Sequence, residues 1–381
     1  MYSRRSIISS AAALMCAATP TLLAATPTNS LTESWPAWDA FRDRFIQADG
    51  RVIDFAAGGH STSEGQAYTL FFALVANDRA TFDRVLSWTR TNLAGGDLTA
   101  RLMAWKWGQK PDSTWGVMDT NAASDADLWL SYTLFQAGHL WHDAVLRATA
   151  EMIQQRLAKE LIVQVPGVGP VLLPGSQGFA LENGAWKLNP SYLPLPLLQG
   201  LALEAPNGPW RALRKSTLLM LDSVTPQRLV SDWVVVRPDT GFRLDAKVGQ
   251  TGAYDAIRTY LWAGFMPHQD PDRLRVLARL KGMQVLVERQ LVPPEKVDAS
   301  TGRGEGSGPA GFSAALLPFL DAVGARTATD QQRARITAMG GIPGVYYEQA
   351  LALFALGWMD KRYRFEGNGR LVVQRMATFK K

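Results

Sequence analysis

The chain has 381 residues, of which 47% are hydrophobic, 10% aromatic and 19% charged, a composition typical of a globular protein with a large core. Its formal net charge of +6 is small and its basic residues are scattered, so the charge gives no indication of a nucleic-acid partner. Cys16 is the sole cysteine, which excludes a disulfide framework within the chain.

Residues 1–25 are predicted to be a secretory signal peptide. Arg4 and Arg5 form a basic start, residues 7–23 are mostly apolar, and Ala24 and Ala25 are small enough for a cleavage site. Residues 26–381 show no linker or low-complexity tract, which favours a single domain. No later segment approaches the roughly 18 uninterrupted apolar residues of a membrane span. We therefore expect a periplasmic or secreted protein with no membrane span in its mature form.

Helical patterns of two kinds follow one another along the chain. Segments 64–76, 126–137 and 254–263 are apolar on nearly all sides, whereas segments 80–92 and 143–157 are apolar on one face only. Helices that alternate between full and partial burial predict two concentric layers, an all-α toroid. Short strand patterns, which we expect in the loops, lie at residues 161–165, 171–173, 233–236 and 371–373.

Several classes of active site lack sequence support. The chain contains no P-loop, and no dinucleotide fingerprint follows a predicted strand. The glycine-rich TGRGEGSGP tract at residues 301–309 lacks the Lys-Ser/Thr ending and is predicted to be a flexible loop. The four histidines form no convincing metal cluster, and no Ser/His pairing is evident. Paired carboxylates, which glycosidases use for hydrolysis, are the remaining option, and we expect neither metal nor cofactor.

A series of motifs resembles glycoside hydrolase family 8. STSEGQAY at residues 61–68, AASDADLWL at 122–130 and YDAIR at 254–258 are similar to the three segments that carry the family's carboxylates. Within the family, the motifs are most similar to endoglucanases that accompany bacterial cellulose synthase. The other matches occur in family order and are WPAW (35–38), GRVID (50–54), RLMAW (101–105), NPSYL (189–193), PPEKVD (293–298), GPAGFSAALLPFL (308–320) and YYEQALALF (346–354).

The resemblance implies an (α/α)6 barrel with a few short strands in its loops. It also implies inverting endo-hydrolysis of β-1,4-glucan by residues 26–381 without a cofactor. Glu64 matches the proton donor, Asp255 the base, and Asp125 a third carboxylate that grips the sugar at the cleavage point. The matched substrate-binding residues are Arg258 beside the base and the cleft residues Trp105, Tyr192 and Tyr347. Tyr254 of the YDAIR motif and Asp127, two residues after Asp125, are further substrate-binding candidates.

Each of these residues also has a structural interpretation. Glu64 follows Thr62 and Ser63 and could be a capping acid, and a helix N-terminus favours its anion. A proton donor at this position therefore needs burial and a nearby carboxylate, such as Asp125, to raise its pKa. Asp255 and Arg258 are three residues apart and could form an ordinary helix ion pair. Trp105 could equally be a core residue.

The leading hypothesis is an endo-β-1,4-glucanase that acts in bacterial cellulose synthesis. Its expected partners are cellulose-type glucan chains, with the cellulose synthase complex as a further candidate. One alternative is the same machinery acting on another β-1,4 polymer, chitosan or xylan. Another is a non-hydrolytic glucan-binding protein that retains the enzyme fold. Product analysis on cellulose derivatives, chitosan and xylan would separate these alternatives.

Overall fold

The computed structural model describes residues 34–374. The predicted signal peptide, with Arg4, Arg5 and Cys16, lies outside these residues. None of the helices in the described part combines the length and the apolar character that crossing a bilayer requires.

The described residues form twelve α-helices that alternate in burial along the chain. The even-numbered helices are buried on nearly all sides: α2 (Ser63–Val75), α4 (Ser124–Leu140), α6 (Leu195–Glu204), α8 (Ala256–Gly264), α10 (Ala310–Ala322) and α12 (Tyr346–Met359). The odd-numbered helices expose one face: α1 (Pro36–Phe45), α3 (Arg79–Leu93), α5 (Ala144–Glu160), α7 (Trp210–Val224), α9 (Arg273–Gln290) and α11 (Arg326–Ala338). This alternation matches the pattern predicted from the sequence.

The buried helices form a closed inner ring. α2 contacts α4, and contacts continue in order through α6, α8, α10 and α12, which packs back against α2. Outside this ring, α3, α5, α7, α9 and α11 each pack on the inner helix that precedes them, and α1 packs on α12. The arrangement is an (α/α)6 barrel, as predicted. The helices predicted at 64–76, 126–137, 80–92 and 143–157 correspond to α2, α4, α3 and α5, whereas the one predicted from residue 254 begins at Ala256.

Four aromatic side chains from four inner helices fill the middle of the barrel. Trp129 of α4 lies with its ring centre 5.0 Å from Phe71, 5.0 Å from Phe354 and 5.2 Å from Trp262. All four are at most 4% exposed, so this group, the aromatic floor, excludes water from the lumen. Tyr68 packs edge-on against Trp129 at 5.9 Å and points its hydroxyl away from the floor toward a cluster of charged groups.

Two inner helices approach each other at backbone distance where α8 ends. A Cβ on Gly264 would lie 2.5 Å from the carbonyl carbon of Pro318 and 2.6 Å from the nitrogen of Phe319 in α10. Only glycine fits there without moving one of the helices.

Short antiparallel strands lie in the connections. Three sheets each have a strand close to the start of an inner helix: β1 (Ser61–Thr62), β2 (Lys106–Gln109) and β3 (Trp115–Asp119); β6 (Trp186–Leu188), β7 (Val234–Arg237) and β8 (Gly241–Arg243); and β9 (Thr251–Gly252), β10 (Lys296–Asp298) and β11 (Gly304–Glu305). Two hairpins complete the set: β4 (Ile162–Val165) with β5 (Gly169–Leu172), and β12 (Tyr363–Phe365) with β13 (Leu371–Val373). The predicted strands at 161–165, 171–173, 233–236 and 371–373 correspond to β4, β5, β7 and β13.

The two ends of the described chain meet at one residue. The Arg362 guanidinium donates a hydrogen bond to the carbonyl of Ser34 at 3.0 Å. The carbonyl of Arg362 accepts from the backbone N–H of Gln374 at 2.8 Å. Arg362 therefore holds the first and the last described segments of the barrel together.

Candidate active site

The three predicted carboxylates lie at the N-terminal ends of inner helices. Glu64 is in the first turn of α2, Asp125 is in the first turn of α4, and Asp255 is the N-cap residue of α8. Since α2 and α8 are the first and fourth of six helices in the ring, Glu64 and Asp255 start from opposite sides of the barrel mouth. Asp125 lies on α4, next to Glu64.

The start of α2 fixes the position of Glu64 beside Trp105. The Thr62 hydroxyl accepts a hydrogen bond from the backbone N–H of Gly65 at 3.1 Å and caps the helix. The backbone N–H of Ser63 donates to the carbonyl of Trp105 at 2.9 Å, which joins the β2 hairpin to the helix start. The Ser63 hydroxyl donates to Glu64 Oε2 at 3.1 Å.

The surroundings of Glu64 favour its protonated form. Burial, followed by the negative charge of Asp125, raises the pKa of Glu64 from 4.5 to about 8, while Arg258 and the Ser63 hydroxyl oppose the rise. The site thus meets the requirement that the sequence set for a proton donor at a helix N-terminus. These effects favour the protonated form of Glu64 at neutral pH.

Arg258 joins the other two carboxylates across the lumen. Its Nη1 donates to Asp125 Oδ2 at 3.1 Å and its Nη2 donates to Asp255 Oδ1 at 2.6 Å. Asp125 also accepts a hydrogen bond from the Tyr68 hydroxyl at 3.2 Å and is 1% exposed, and burial raises the pKa of Asp125 against the opposing effect of Arg258. The Asp255 side chain is 33% exposed, so this carboxylate is paired on one side and open to solvent on the other.

Asp127 faces the wall of the barrel behind the site. It is 1% exposed, and its Oδ1 accepts from the backbone N–H of Met103 at 3.1 Å. Its Oδ2 has no hydrogen-bond partner among the described residues, and burial raises the pKa of Asp127 well above its ordinary value. This bond anchors the segment that leads to Trp105, so the geometry gives Asp127 a supporting position and offers no direct route to a sugar.

The predicted aromatic residues form an exposed pair, Trp105 and Tyr254, and a half-buried pair, Tyr192 and Tyr347. Trp105 and Tyr254 are 39% and 46% exposed, which leaves their surfaces available to a ligand. Tyr347 is half-buried and donates its hydroxyl to the carbonyl of Tyr254, which fixes the backbone just before Asp255. The ring of Tyr192 lies 5.6 Å from the Arg258 guanidinium. These contacts place Tyr192, Tyr254 and Tyr347 around the base-side residues.

The sequence interpretation missed two residues of the site. Tyr68 lies four residues after Glu64, on the same face of α2, and this spacing could have indicated it. Asp232 precedes β7 and belongs to none of the motifs, yet its Oδ1 accepts from the backbone N–H groups of Ala253 at 2.8 Å and Ala256 at 2.7 Å. Burial raises the pKa of Asp232, and these two hydrogen bonds oppose the rise.

Within residues 34–374, no group of three or more His, Cys, Asp or Glu side chains is arranged to hold a metal ion.

Comparison with known proteins identifies the family. A model of the glycosyl hydrolases family 8 matches residues 12–361. The chain belongs to glycoside hydrolase family 8. An endoglucanase of Xanthomonas axonopodis pv. citri is 46% identical over 345 residues, covering 89% of this chain and 88% of the relative. An Escherichia coli K12 endoglucanase is 45% identical over 342 residues, covering 89% of this chain and 91% of the relative. The family 8 chain is therefore a glycoside hydrolase of the endoglucanase type.

Solved structures agree with this family 8 assignment. The crystal structure of an endo-1,4-D-glucanase from Vibrio fischeri ES114 superposes with a TM-score of 0.84 at 38% identity, over 90% of this chain and 99% of that chain. A cold-adapted family 8 xylanase superposes with a TM-score of 0.61 over 84% of this chain and 89% of that chain. Since its identity is 14%, that second likeness shows the fold alone.

Proposed function

We propose that this family 8 enzyme hydrolyses cellulose-type β-1,4-glucan with inversion, with Glu64 as general acid and Asp255 as general base. The observation that carries the proposal is the contrast between the two carboxyl groups. Glu64 has a pKa raised to about 8, whereas Asp255 is paired with Arg258 and open to solvent on the opposite side of the ring. One group is suited to give a proton and the other to take one.

The reaction takes place in one displacement. Glu64 donates its proton to the glycosidic oxygen as the bond from that oxygen to the anomeric carbon breaks. Asp255 takes a proton from a water molecule whose oxygen forms the new bond to the same carbon from the opposite face. This geometry needs carboxyl groups about 6.5–9.5 Å apart, against about 5–5.5 Å for a retaining enzyme. Opposite positions in a six-helix ring favour the wider spacing.

Asp125 has two roles in this mechanism. Its charge beside Glu64 raises the pKa of the proton donor. Its carboxylate, which Arg258 and Tyr68 hold by hydrogen bonds, grips the sugar at the cleavage point. Arg258 also fixes the Asp255 carboxylate, and Trp105 and Tyr254 offer apolar surface to the C–H faces of sugar rings.

Cellulose-type glucan is the proposed substrate because similar proteins carry endoglucanase names and 1,4-glucanase activity. We place the enzyme in the periplasm or outside the cell, in the pathway of cellulose synthesis, with the synthase complex as a candidate partner. The predicted signal peptide and the motif similarity support these assignments. The intact carboxylate network disfavours a non-hydrolytic binding protein.

The test is product analysis combined with proton NMR of the first reducing ends. Carboxymethyl cellulose, chitosan and xylan are incubated side by side, and cellulose is expected to be cut fastest. The first-formed reducing end should be the α-anomer, because water attacks the face opposite to the departing β-linked chain. Faster cleavage of chitosan or xylan would reassign the substrate. An initial β-anomer, or a glycosyl group trapped on Asp255, would make Asp255 a nucleophile.

A further inference from the structure

The segment that precedes β7 lies tightly against the segment that carries Asp255. The backbone N–H of Asp232 donates to the carbonyl of Thr251 at 2.9 Å, and the N–H of Val230 donates to the Tyr260 hydroxyl of α8 at 3.1 Å. A Cβ on Gly252 would lie 2.1 Å from the carbonyl oxygen of Val230, so glycine alone permits this approach. The two segments therefore hold each other in a fixed register.

The Asp232 carboxylate binds the backbone at the start of α8. Its Oδ1 accepts from the N–H groups of Ala253 at 2.8 Å and Ala256 at 2.7 Å, one on each side of Tyr254 and Asp255. Asp255 is the N-cap residue of α8, but its side chain makes no capping hydrogen bond to the helix. An N-cap aspartate normally accepts from the N–H groups two or three residues further on, but those of Ile257 and Arg258 already donate to the backbone carbonyls of Ala253 and Asp255 at 3.1 Å. Here the Asp255 carboxylate bonds to Arg258 instead.

We propose that Asp232 is a positioning residue for the catalytic base. By accepting from the N–H groups of Ala253 and Ala256, it fixes the backbone on both sides of Tyr254 and Asp255. The Asp255 carboxylate is thereby held facing Arg258 and the cleft. The inference rests on the proposed role of Asp255 as base.

Two substitutions at Asp232 test the role of its acceptor oxygen. Asp232→Asn keeps an oxygen at Oδ1 and should retain kcat within a few-fold of the wild-type value. Asp232→Ala removes the acceptor, and kcat should fall about 10²-fold, the loss expected when a reacting group moves by about 1 Å, with KM changing much less. An Asp232→Ala enzyme with wild-type kcat would overturn the inference, as would an Asp232→Asn enzyme as slow as Asp232→Ala.

Azide provides a readout that a general loss of structure would not change. Azide ion attacks the anomeric carbon of an aryl β-cellotrioside without losing a proton, so it needs no base; its nitrogen bonds to carbon as the bond to the aryl oxygen breaks. Azide should accelerate both Asp232→Ala and Asp255→Ala and yield an α-glycosyl azide, while wild type and Asp232→Asn remain unchanged. No response from Asp255→Ala would refute the proposed base. A response from Asp255→Ala without one from Asp232→Ala would refute the positioning role alone.

Asp143→Ala is the matched control. The Oδ1 of Asp143 also accepts from two backbone N–H groups, those of Val145 at 3.0 Å and Leu146 at 3.2 Å, at the start of the outer helix α5. Its loss should lower the melting temperature yet leave kcat and the azide response at wild-type values. A comparable loss of kcat in this control would show that losing any such helix-start acceptor slows the enzyme.

If Asp232→Ala does not fold, Asp232→Ser is used instead, because the shorter serine hydroxyl cannot reach both N–H groups.

Discussion

The proton on Glu64 is held by the surroundings of the side chain against the effect of its helix. A carboxylate at a helix N-terminus is stabilised by roughly 0.3–1 kcal/mol, which favours loss of the proton. The rise of the pKa of Glu64 from 4.5 to about 8 corresponds to roughly 5 kcal/mol in the other direction, at about 1.36 kcal/mol per pKa unit. Burial and the charge of Asp125 therefore decide the protonation state.

The proton on Glu64 should make activity depend on pH. Because the acid must be protonated, kcat/KM on glucan should be steady through neutral pH and fall as pH rises through about 8, the pKa of Glu64. Initial rates measured between pH 5 and 10 test this. An aryl glycoside whose leaving group needs no proton is the control and should lose much less activity above pH 8. A glucanase activity that already declines below pH 6 with rising pH would contradict the assignment.

The second prediction concerns Glu64→Gln, which should lower kcat by at least about 10²–10⁴-fold while glucan binding is retained. The raised pKa means that the folded state binds more protons than the unfolded state between pH 4.5 and about 8, so the free energy of unfolding falls as pH rises through this window. Glutamine has no such proton to lose. Glu64→Gln should therefore exceed the wild type in melting temperature at pH 9, with a smaller difference at pH 5.

Glu348→Gln is the control for that substitution. Glu348 is also in the first turn of an inner helix, where its Oε2 accepts from the backbone N–H of Gly311 at 2.8 Å. Glutamine keeps an acceptor oxygen, so activity should stay near the wild-type value. Near wild-type turnover by Glu64→Gln itself would remove Glu64 from the role of acid.

Sequence patterns predicted the helices whose position depends on burial, but they missed the strands that depend on pairing with a distant strand. The inner helices α2 and α4 are apolar all round, and that property is visible along the chain. The β2–β3 hairpin has glycines at positions 108 and 116 and is held by its pairing with β1, which no local pattern indicates.

The same distinction applies to the site. The pairing of Asp255 with Arg258 is a short-range contact on one helix, and the spacing of three residues predicted it. The bond from Arg258 to Asp125 spans 133 residues, and no spacing rule reaches that far. The resemblance to family 8 supplied both residues, but the bridge between them, like the contact of Asp232 with α8, became visible only in the folded chain.

The close contact of α8 with α10 should make stability sensitive to a side chain at position 264. Gly264→Ala should destabilise the protein by about 1–3 kcal/mol or more, because the added Cβ meets backbone atoms of Pro318 and Phe319 that cannot rotate away. Denaturant unfolding measures the loss. Gly116→Ala is the control, since its Cβ would meet only the flexible end of Lys110 at 3.3 Å. Equal stability of Gly264→Ala and the control would mean that the two helices separate without cost.

For the molecule as a whole, the aromatic floor determines how a polymer can reach the carboxylates. Phe71, Trp129, Trp262 and Phe354 fill the lumen just below Tyr68 and Asp125, so a glucan chain cannot thread through the barrel. In the proposed mechanism it lies across the mouth, with Glu64 and Asp255 on its two sides. A cleft that is open at both ends in this way suits cleavage at internal bonds of a long chain.

The exported protein should begin just after the predicted signal peptide. Its N-terminus should lie at Ala25 or Thr26, and the mature chain, with 38 basic and 34 acidic residues and a net charge of +4, should contain no cysteine. Intact-mass spectrometry of periplasmic material tests the cleavage site. A thiol reductant should leave the melting temperature unchanged, because core burial alone stabilises the fold. Exported protein that begins at Met1, or that carries a lipid on Cys16, would contradict the signal-peptide interpretation.

Ser34 and Gln374, the first and last residues that the structure describes, both bond to Arg362, so the barrel does not depend on which helix comes first in the sequence. Contacts run around the ring from α2 to α12 and back to α2. A circular permutant in which a linker connects Gln374 to Ser34, with new ends between α6 and α7, would keep every helix neighbour. Glu64 would then follow Asp255 in sequence while facing it across the same mouth, because the barrel fixes the angular positions of the two carboxylates and leaves their serial order free.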